Sequence, residues 1–367
     1  MKPAPALLRL LDSARWAPSG DNSQPWRFVI RGPLAFDVYG YDTRAHSVYD
    51  LDGWASELAH GMLLETIAIA AAHQGSRAVI ALPDDASKAP HRYRITLEAD
   101  AAVGDDSLSD AIQLRSVQRR PMRPRPLSAS ERTMLDRAAA PLRAVWFETW
   151  SARRRIAALC ARNARIRLTI PEAYDAHRAV IAWGVRTSDD RMPDVALGAD
   201  PLLLAIMRHA MTSWSRLDRM NRWMGTLAPR VALDFLPGLL CSAHVALMAP
   251  AAPSSLDDRI AAGRAAQRVW LTATSLDLQM QPEYTPLVFA RYAESGRRFT
   301  VVDAAYAQAR EVADNLLKAL GKDAVKRTVW LARIGPHRSS PGRSLRLPLD
   351  RLIIDEAPAD LAPPALQ

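Results

Sequence analysis

Residues 14–28 read "ARWAPSGDNSQPWRF", and the fold turns on how this stretch is read. Pro18, Gly20 and Pro25 together exclude a helix interior, and the run Asp21-Asn22-Ser23-Gln24 excludes a strand interior. What is left is a polar loop walled by Trp16 and Trp26. Upstream, Ala6, Leu7, Leu10, Leu11 and Ala14 recur at helical spacing, which predicts a helix over 4–15 that the loop ends. Downstream, "WRFVI" (26–30) reads as a strand starting on Trp26 as a core aromatic. "AFDVYGYD" (35–42) reads as its hairpin partner after "RGP".

Working outward, residues 55–74 form a strongly apolar helix with small residues on several faces, the pattern of a helix buried between layers. "RAVIALP" (77–83) and "HRYRITLEA" (91–99) read as two more strands. A Gly-Asp-Asp loop then leads to a short helix that Ser109-Asp110 can cap. Three prolines keep 119–126 extended, and the capping-box pair Ser128 and Glu131 restarts a helix. "AVWFETW" (144–150) is a strand, 152–230 is mostly helical, and "PGLLCSAHVALMAP" (237–250) is a buried strand. A second long apolar helix spans 256–278. The strand "RTVWLARIG" (327–335) and the segment "SSPGRSLRLPLDRLII" (339–354) follow.

The two long helices can be laid over each other with Gly61 on Gly263. Glu65 then stands on Gln267 and Ala71 on Ala273, and both helices run into a turn and a strand. "LLRLLDSARWAP" before "WRFVI" likewise matches "ERTMLDRAAAP" before "AVWFETW". Either the chain contains an internal duplication, two similar α+β units forming an intramolecular pseudo-dimer, or Ala-rich helices are alike by chance.

The bulk numbers set limits. At 367 residues the chain suffices for one large domain or two ordinary ones. Its 49% hydrophobic and 24% charged residues are those of a globular protein. No apolar run approaches the roughly 20 residues that span a bilayer, and the first residues lack the apolar core of a signal peptide. Cys160 and Cys241 make neither a disulfide framework nor a metal spacing. The expectation is a cytoplasmic protein with no metal and no membrane partner. The net charge of +9 favours anionic partners and is carried almost wholly by Arg, which suits phosphate. No nucleic-acid module is visible, and none of the Arg-rich stretches is interleaved with stacking aromatics, so no nucleic acid is expected.

Most catalytic motifs are missing: no G-x-G-x-x-G after a strand, no Walker A, no G-x-S-x-G and no H-E-x-x-H. His60, His73, His91, His177, His209 and His244 stand singly and read as structural, as do both cysteines. Three segments remain: Pro18–Trp26, "RSVQRRP" (115–121) and "RSLRLP" (343–348).

Taken together, Pro18, Ser19, Asn22, Gln24, Pro25 and Trp26 resemble, at the family's spacing, the flavin loop of the FMN-dependent nitroreductase superfamily. "AAQRVWLTATSLDLQMQP" and "RIG…RSLRLPLDRL" resemble its later helix and tail, so the likeness touches most of the chain. It is closest to members with two nitroreductase-like units in one chain. The resemblance implies an α+β nitroreductase-like fold, an antiparallel-rich sheet flanked by helices, with two similar units. Residues 1–104 would carry the flavin-ring loop. Residues 105–367 would carry the phosphate arginines, with a helical cap at about 152–230.

In that family the flavin lies between two halves, one giving the loop and the other the phosphate arginines. By resemblance Arg115, Ser116 and Arg119, with Arg343, Ser344 and Arg346 from the tail, would clamp the FMN phosphate through charge-assisted forks. Arg115 and Arg119, four apart, would point the same way from a helical turn. Val117 stands where the family usually has a small hydroxyl. Pro18 would wall the flavin ring, Ser19, Asn22 and Gln24 would line it, and Gln281 and Pro282 would lie near N5. The implied activity is ping-pong hydride transfer from NADH or NADPH, through the flavin, to a small conjugated organic acceptor, or flavin-dependent dehydrogenation of a small molecule. No side chain is assigned as acid or base; Asp21 is the one titratable residue of the loop and reads as exposed. Trp183, Trp214 and Trp223 in the cap either line an acceptor pocket or fill a helical core. One flavin site is expected, in a monomeric pseudo-dimer or a homodimer. The rival readings are a non-catalytic flavin-storage protein and a flavin-cleaving enzyme.

Overall fold

Leu7, Leu10, Leu11 and Ala14 are fully buried along one side of the first helix, α1 (Pro5–Ala14), where Pro5 supplies the preset φ of a helix start. The computed structural model describes residues 3–82, 90–100, 104, 106–338 and 340–356. Pro83, Ser339 and most of the boundary loop at 101–105 lie outside the described residues. The expected hairpin forms from β1 (Trp26–Gly32) and β2 (Ala35–Gly40). After α2 (Trp54–His73) come β3 (Ser76–Ala81) and β4 (His91–Ala99). β4 inserts between β2 and β3, giving an antiparallel sheet of order β1-β2-β4-β3. Along β4, buried His91, Tyr93, Ile95 and Leu97 alternate with exposed Arg92, Arg94 and Thr96, so this sheet has one face on the core.

The second half begins with α3 (Ser109–Leu114), an extended run, α4 (Ala129–Ala138) and β5 (Arg143–Phe147). The capping box of α4 is formed: Glu131 N donates to Ser128 Oγ at 3.2 Å and Ser128 N to the Glu131 carboxylate at 2.7 Å. β5 stops at Phe147 rather than running on to Trp150, because Thr149 accepts from Ala152 N and caps α5 (Trp150–Thr169).

A long insertion follows. It holds α6 (Pro171–Val180), the two-residue strands β6 (Ile181–Ala182), β7 (Thr187–Ser188) and β8 (Met192–Pro193), helices α7 (Pro201–Ala210) and α8 (Trp214–Met224), and single turns α9 (Leu227–Arg230) and α10 (Leu236–Leu239). The chain then completes its second sheet with β9 (Ala243–Met248), α11 (Leu256–Ser275), β10 (Leu278–Pro282), a helical run α12 (Thr285–Ser295), α13 (Asp303–Leu320) and α14 (Lys322–Arg327), and β11 (Thr328–Pro336). This sheet is also antiparallel, of order β10-β11-β9-β5. The architecture is α+β.

Both sheets are reached the same way. A short helix leads into the first strand, a 20-residue helix follows the second, and the fourth strand enters between the second and third. They differ in what joins the first two strands: a tight turn in one sheet, residues 148–242 in the other.

α2 and α11 pack on each other at the glycines that the sequence aligns. A Cβ on Gly61 would lie 2.9 Å from Gly263 Cα, and one on Gly263 would lie 2.9 Å from Gly61 Cα. Each would also strike a carbonyl, Ile260 O or Leu58 O respectively, so the contact is reciprocal and any side chain would force the helices apart. Around the crossing, Glu65 pairs with Arg264 at 2.7 Å and Arg268 at 2.8 Å, and Glu57 pairs with Arg259. Beyond β11, β12 (Arg343–Ser344) pairs with β7, and α15 (Leu349–Leu352) leads to Ile354, whose N donates to Phe28 O at 2.9 Å. The tail therefore crosses from the second sheet back to the first.

Candidate functional site

Three segments meet beside β1: the Pro18–Trp26 loop, the tail at 343–347 and the cap strand at 187–191. The loop is conformationally unusual. Asp21, Asn22 and Gln24 have φ of 52°, 64° and 46°, a region that non-glycine residues enter only with local support. Side chains provide it. Ser19 Oγ accepts from Gln24 N at 2.9 Å, and Gln24 Nε2 donates to Asn22 O at 3.2 Å. Below, the His60 ring lies between Pro25 O, 3.0 Å from Nε2, and the Tyr93 hydroxyl, 3.1 Å from Nδ1; burial pushes its pKa down to about 4. Trp26 is fully buried in the first core, as read from sequence.

The loop amides also reach outward. Asn22 Nδ2 donates to Asp189 O at 3.0 Å, Gln24 Nε2 donates to Asp189 O at 2.9 Å, and Gln24 Oε1 accepts from Leu347 N at 2.8 Å. Asn22 Oδ1 accepts from Arg346 Nη1 at 2.9 Å. Asn22 and Gln24 thus bind the loop to the cap and the tail, Ser19 bonds within the loop, and all three use protein partners.

Arg346 opens the second part of the site. It is buried, donating from Nε to Ala17 O at 3.0 Å and from Nη2 to Trp16 O at 3.4 Å. Arg115, also buried, donates from Nη2 to the same Trp16 carbonyl at 3.3 Å and lies over the Trp270 ring at 4.5 Å. Arg343 lies over the Trp16 ring at 4.9 Å and donates to Gln113 O. Among the described residues, no carboxylate lies within ion-pair distance of Arg115, Arg343 or Arg346; every partner they have is a carbonyl, an amide oxygen or an aromatic face. Three buried donors in this cluster have no acceptor among the described residues: Arg115 Nε, Trp16 Nε1 and Trp270 Nε1. Burial pushes the Arg115 pKa far down, and Arg346 and Arg343 add to it; burial, then Arg343 and Arg15, bring Arg346 to about 9. Like charges buried together with spare donors form a cradle for an anion.

Arg119 does not join them. α3 ends at Arg115, whose ψ of 126° turns the chain extended, so Arg115 and Arg119 do not share a helix face. Arg119 Nη1 instead donates to Ala196 O at 3.1 Å, and its carbonyl accepts from Arg333 Nη2 at 2.8 Å. Burial lowers it to about 10 against the pull of Asp21. Asp21 is half-buried rather than exposed, its pKa raised by burial and held back by Arg119 and Arg167. Ser116 Oγ faces Gln279 Oε1 at 3.5 Å, and Ser344 O accepts from Arg346 at 3.3 Å. The 115–119 segment runs beside β10, with Gln118 N donating to Met280 O at 3.1 Å. The strand ends in Gln281 and Pro282, and Gln281 Oε1 is a buried acceptor without a donor.

Beneath that strand end, Glu283 joins His244 Nδ1 at 2.6 Å and Arg333 at 3.1 Å. Burial opposes the His244 charge, yet Glu283 and Cys241 carry its pKa up to about 10. The cap tryptophans are dispersed: Trp183 packs on Val180, Ile181, Met192 and Ala196, Trp214 lies 5.8 Å from Tyr174, and Trp223 is 87% exposed. Two pairs carried no motif: Tyr49 with His177 at 3.0 Å, and Arg167 with Asp234 at 2.7 Å. Their partners are far apart in sequence, and only the fold joins them.

The sequence matches no protein-family model and no curated protein sequence. The chemistry of the site therefore rests on its own geometry: a buried, carboxylate-free arginine cluster under a polar loop.

Proposed function

We propose that the protein is an FMN-dependent oxidoreductase of the nitroreductase type, holding one FMN non-covalently and using NADH or NADPH as electron donor. The observation that carries the reading is the convergence of Arg115, Arg343 and Arg346 around Trp16, with no carboxylate partner among the described residues and with donors to spare. Such a donor set fits a phosphate dianion. Arg115 comes from the second unit and the loop from the first, which fits a cofactor lying between two halves. The matching strand orders and the reciprocal Gly61–Gly263 contact support a duplicated chain with a nitroreductase-like fold in each half. The loop position of the second half is "AAPL" (139–142), without the polar signature, so a single site is expected.

When bound, FMN would supply hydride transfer between the nicotinamide and a small conjugated acceptor. The chain's own part is to hold and orient it. Arg115 and Arg346 bind the phosphate, Asn22 fixes Arg346, Pro18 walls the ring, and Gln281 offers an unused carbonyl. A storage role is the second reading, favoured by one observation: Asn22 and Gln24 both donate to Asp189 O and so tie the loop to the inserted segment. An absorbance spectrum of the purified protein, then anaerobic titration with NADPH and NADH, tests both. A flavin spectrum that bleaches supports the oxidoreductase, and one that resists bleaching supports storage. A colourless protein that refuses added FMN overturns both.

A further inference from the structure

From Pro201 to Leu236 the chain buries almost nothing: only Ala210 and Thr226 are inside. The segment is nevertheless rich in large apolar side chains. Leu202 is 71% exposed, Trp223 87%, Met224 72% and Leu227 66%. α8 rests on the body through Trp214, against Tyr174, and through Asn221, whose Nδ2 donates to Leu168 O at 2.7 Å. Its other side presents Arg216, Arg219 and Arg222 at three-residue spacing, all exposed, and ends in Trp223-Met224. Arg208 and Arg230 add to the charge. Against these stand Asp218, paired with Arg222 at 2.5 Å, and Asp234, engaged by Arg167.

We propose that the α7–α9 face is a docking surface for an anionic lipid bilayer. A basic stripe beside exposed Trp, Met and Leu is the composition of a helix that lies in the headgroup layer. There, long Arg side chains reach phosphates, and Trp sits at the boundary with the acyl chains. A second copy of the chain is a poorer occupant, because a two-fold contact would set this stripe against its like. No helix among the described residues is long and apolar enough to cross a membrane, and surface docking requires none.

The test uses the full chain and vesicles of phosphatidylcholine with or without phosphatidylglycerol, at low and high salt. Expected is co-sedimentation only with phosphatidylglycerol, lost at high salt, with a blue shift of Trp emission. Each of Arg216→Gln and Arg219→Gln lowers the partition coefficient about fivefold, and Trp223→Ser with Met224→Ser abolishes binding. All four side chains are exposed or project to solvent, so the fold tolerates the changes. Equal binding to neutral vesicles, no binding to either, or binding that ignores the variants overturns the proposal. So does a solution dimer that Trp223→Ser with Met224→Ser dissociates while vesicles sediment no protein.

Discussion

Buried arginines occur in two settings in this molecule. Arg333 sits in a closed network: Glu283 faces it at 3.1 Å and also pairs with His244 at 2.6 Å. Arg115 and Arg346 are equally buried, yet they meet carbonyls, tryptophan rings and one another. The closed network holds its own carboxylate, although Arg333 Nε has no partner among the described residues, whereas the open one has no carboxylate among them. On the proposed reading, this difference separates a structural charge from a binding charge without any motif.

The sharpest break of that comparison is to open the closed network. Glu283→Ala leaves Arg333 and His244 buried without a counter-charge and should cost about 3–5 kcal/mol of stability, read by urea unfolding. A loss below about 1 kcal/mol would show that Arg333 is not held by charge. Next comes removal of the open cluster. Arg346→Ala with Arg115→Ala relieves repulsion but leaves the Trp16, Ala17 and Asn22 oxygens without these donors, so apo stability should fall by about 1–3 kcal/mol at most. The double variant should weaken FMN binding about a hundredfold or more, at roughly 1.5–3 kcal/mol for each charged contact. If flavin is retained on dialysis, the clamp is assigned wrongly.

A subtler change closes the open site from inside. Asn22→Asp places a carboxylate where Oδ1 now meets Arg346 Nη1 at 2.9 Å. The new pairing is offset by the lost Nδ2 bond to Asp189 O, so apo stability should change by less than about 1 kcal/mol while phosphate is expelled. Unchanged FMN affinity would contradict the role given to Arg346.

The smallest effect is in pH dependence. His244, raised to about 10, contributes stability that is full below its unfolded value of about 6.5 and fades as pH rises towards 10. His60, lowered to about 4, contributes stability that is full above about 6.5 and fades as pH falls towards 4. Wild-type unfolding curves should therefore weaken on both sides of neutrality, and Glu283→Gln should flatten the alkaline side alone. An unaltered alkaline limb in that variant would remove His244 from the account.

Much of the frame was readable in one dimension. The α1 stripe, the β1–β2 hairpin and the Ser128 capping box follow from spacing, because local periodicity and turn chemistry act over a few residues. Gly61 and Gly263 could be aligned because a close helix crossing tolerates only glycine. Arg119 was misplaced on one helix face with Arg115, because whether a helix ends at a given arginine depends on what the chain meets next. Here the next residues run beside β10. Asp21 reads as exposed in sequence because loops usually are, but the fold half-buries it near Arg119 and Arg167.

By itself, then, the sequence determined the long helices, the strands of the two sheets and a polar loop, and which arginines stand near prolines and serines in its tail. The short strands at 181–193 and the helical turn at 236–239, read as strand, came only with the fold. The tertiary structure alone decided that Arg115 and Arg346 share one carbonyl, that Glu283 faces Arg333 while no carboxylate among the described residues faces them, and that Asn22 reaches across to Arg346. Local propensity is a short-range property of the chain. Charge balance in a low-dielectric interior is a property of neighbours hundreds of residues away, and only folding brings them together.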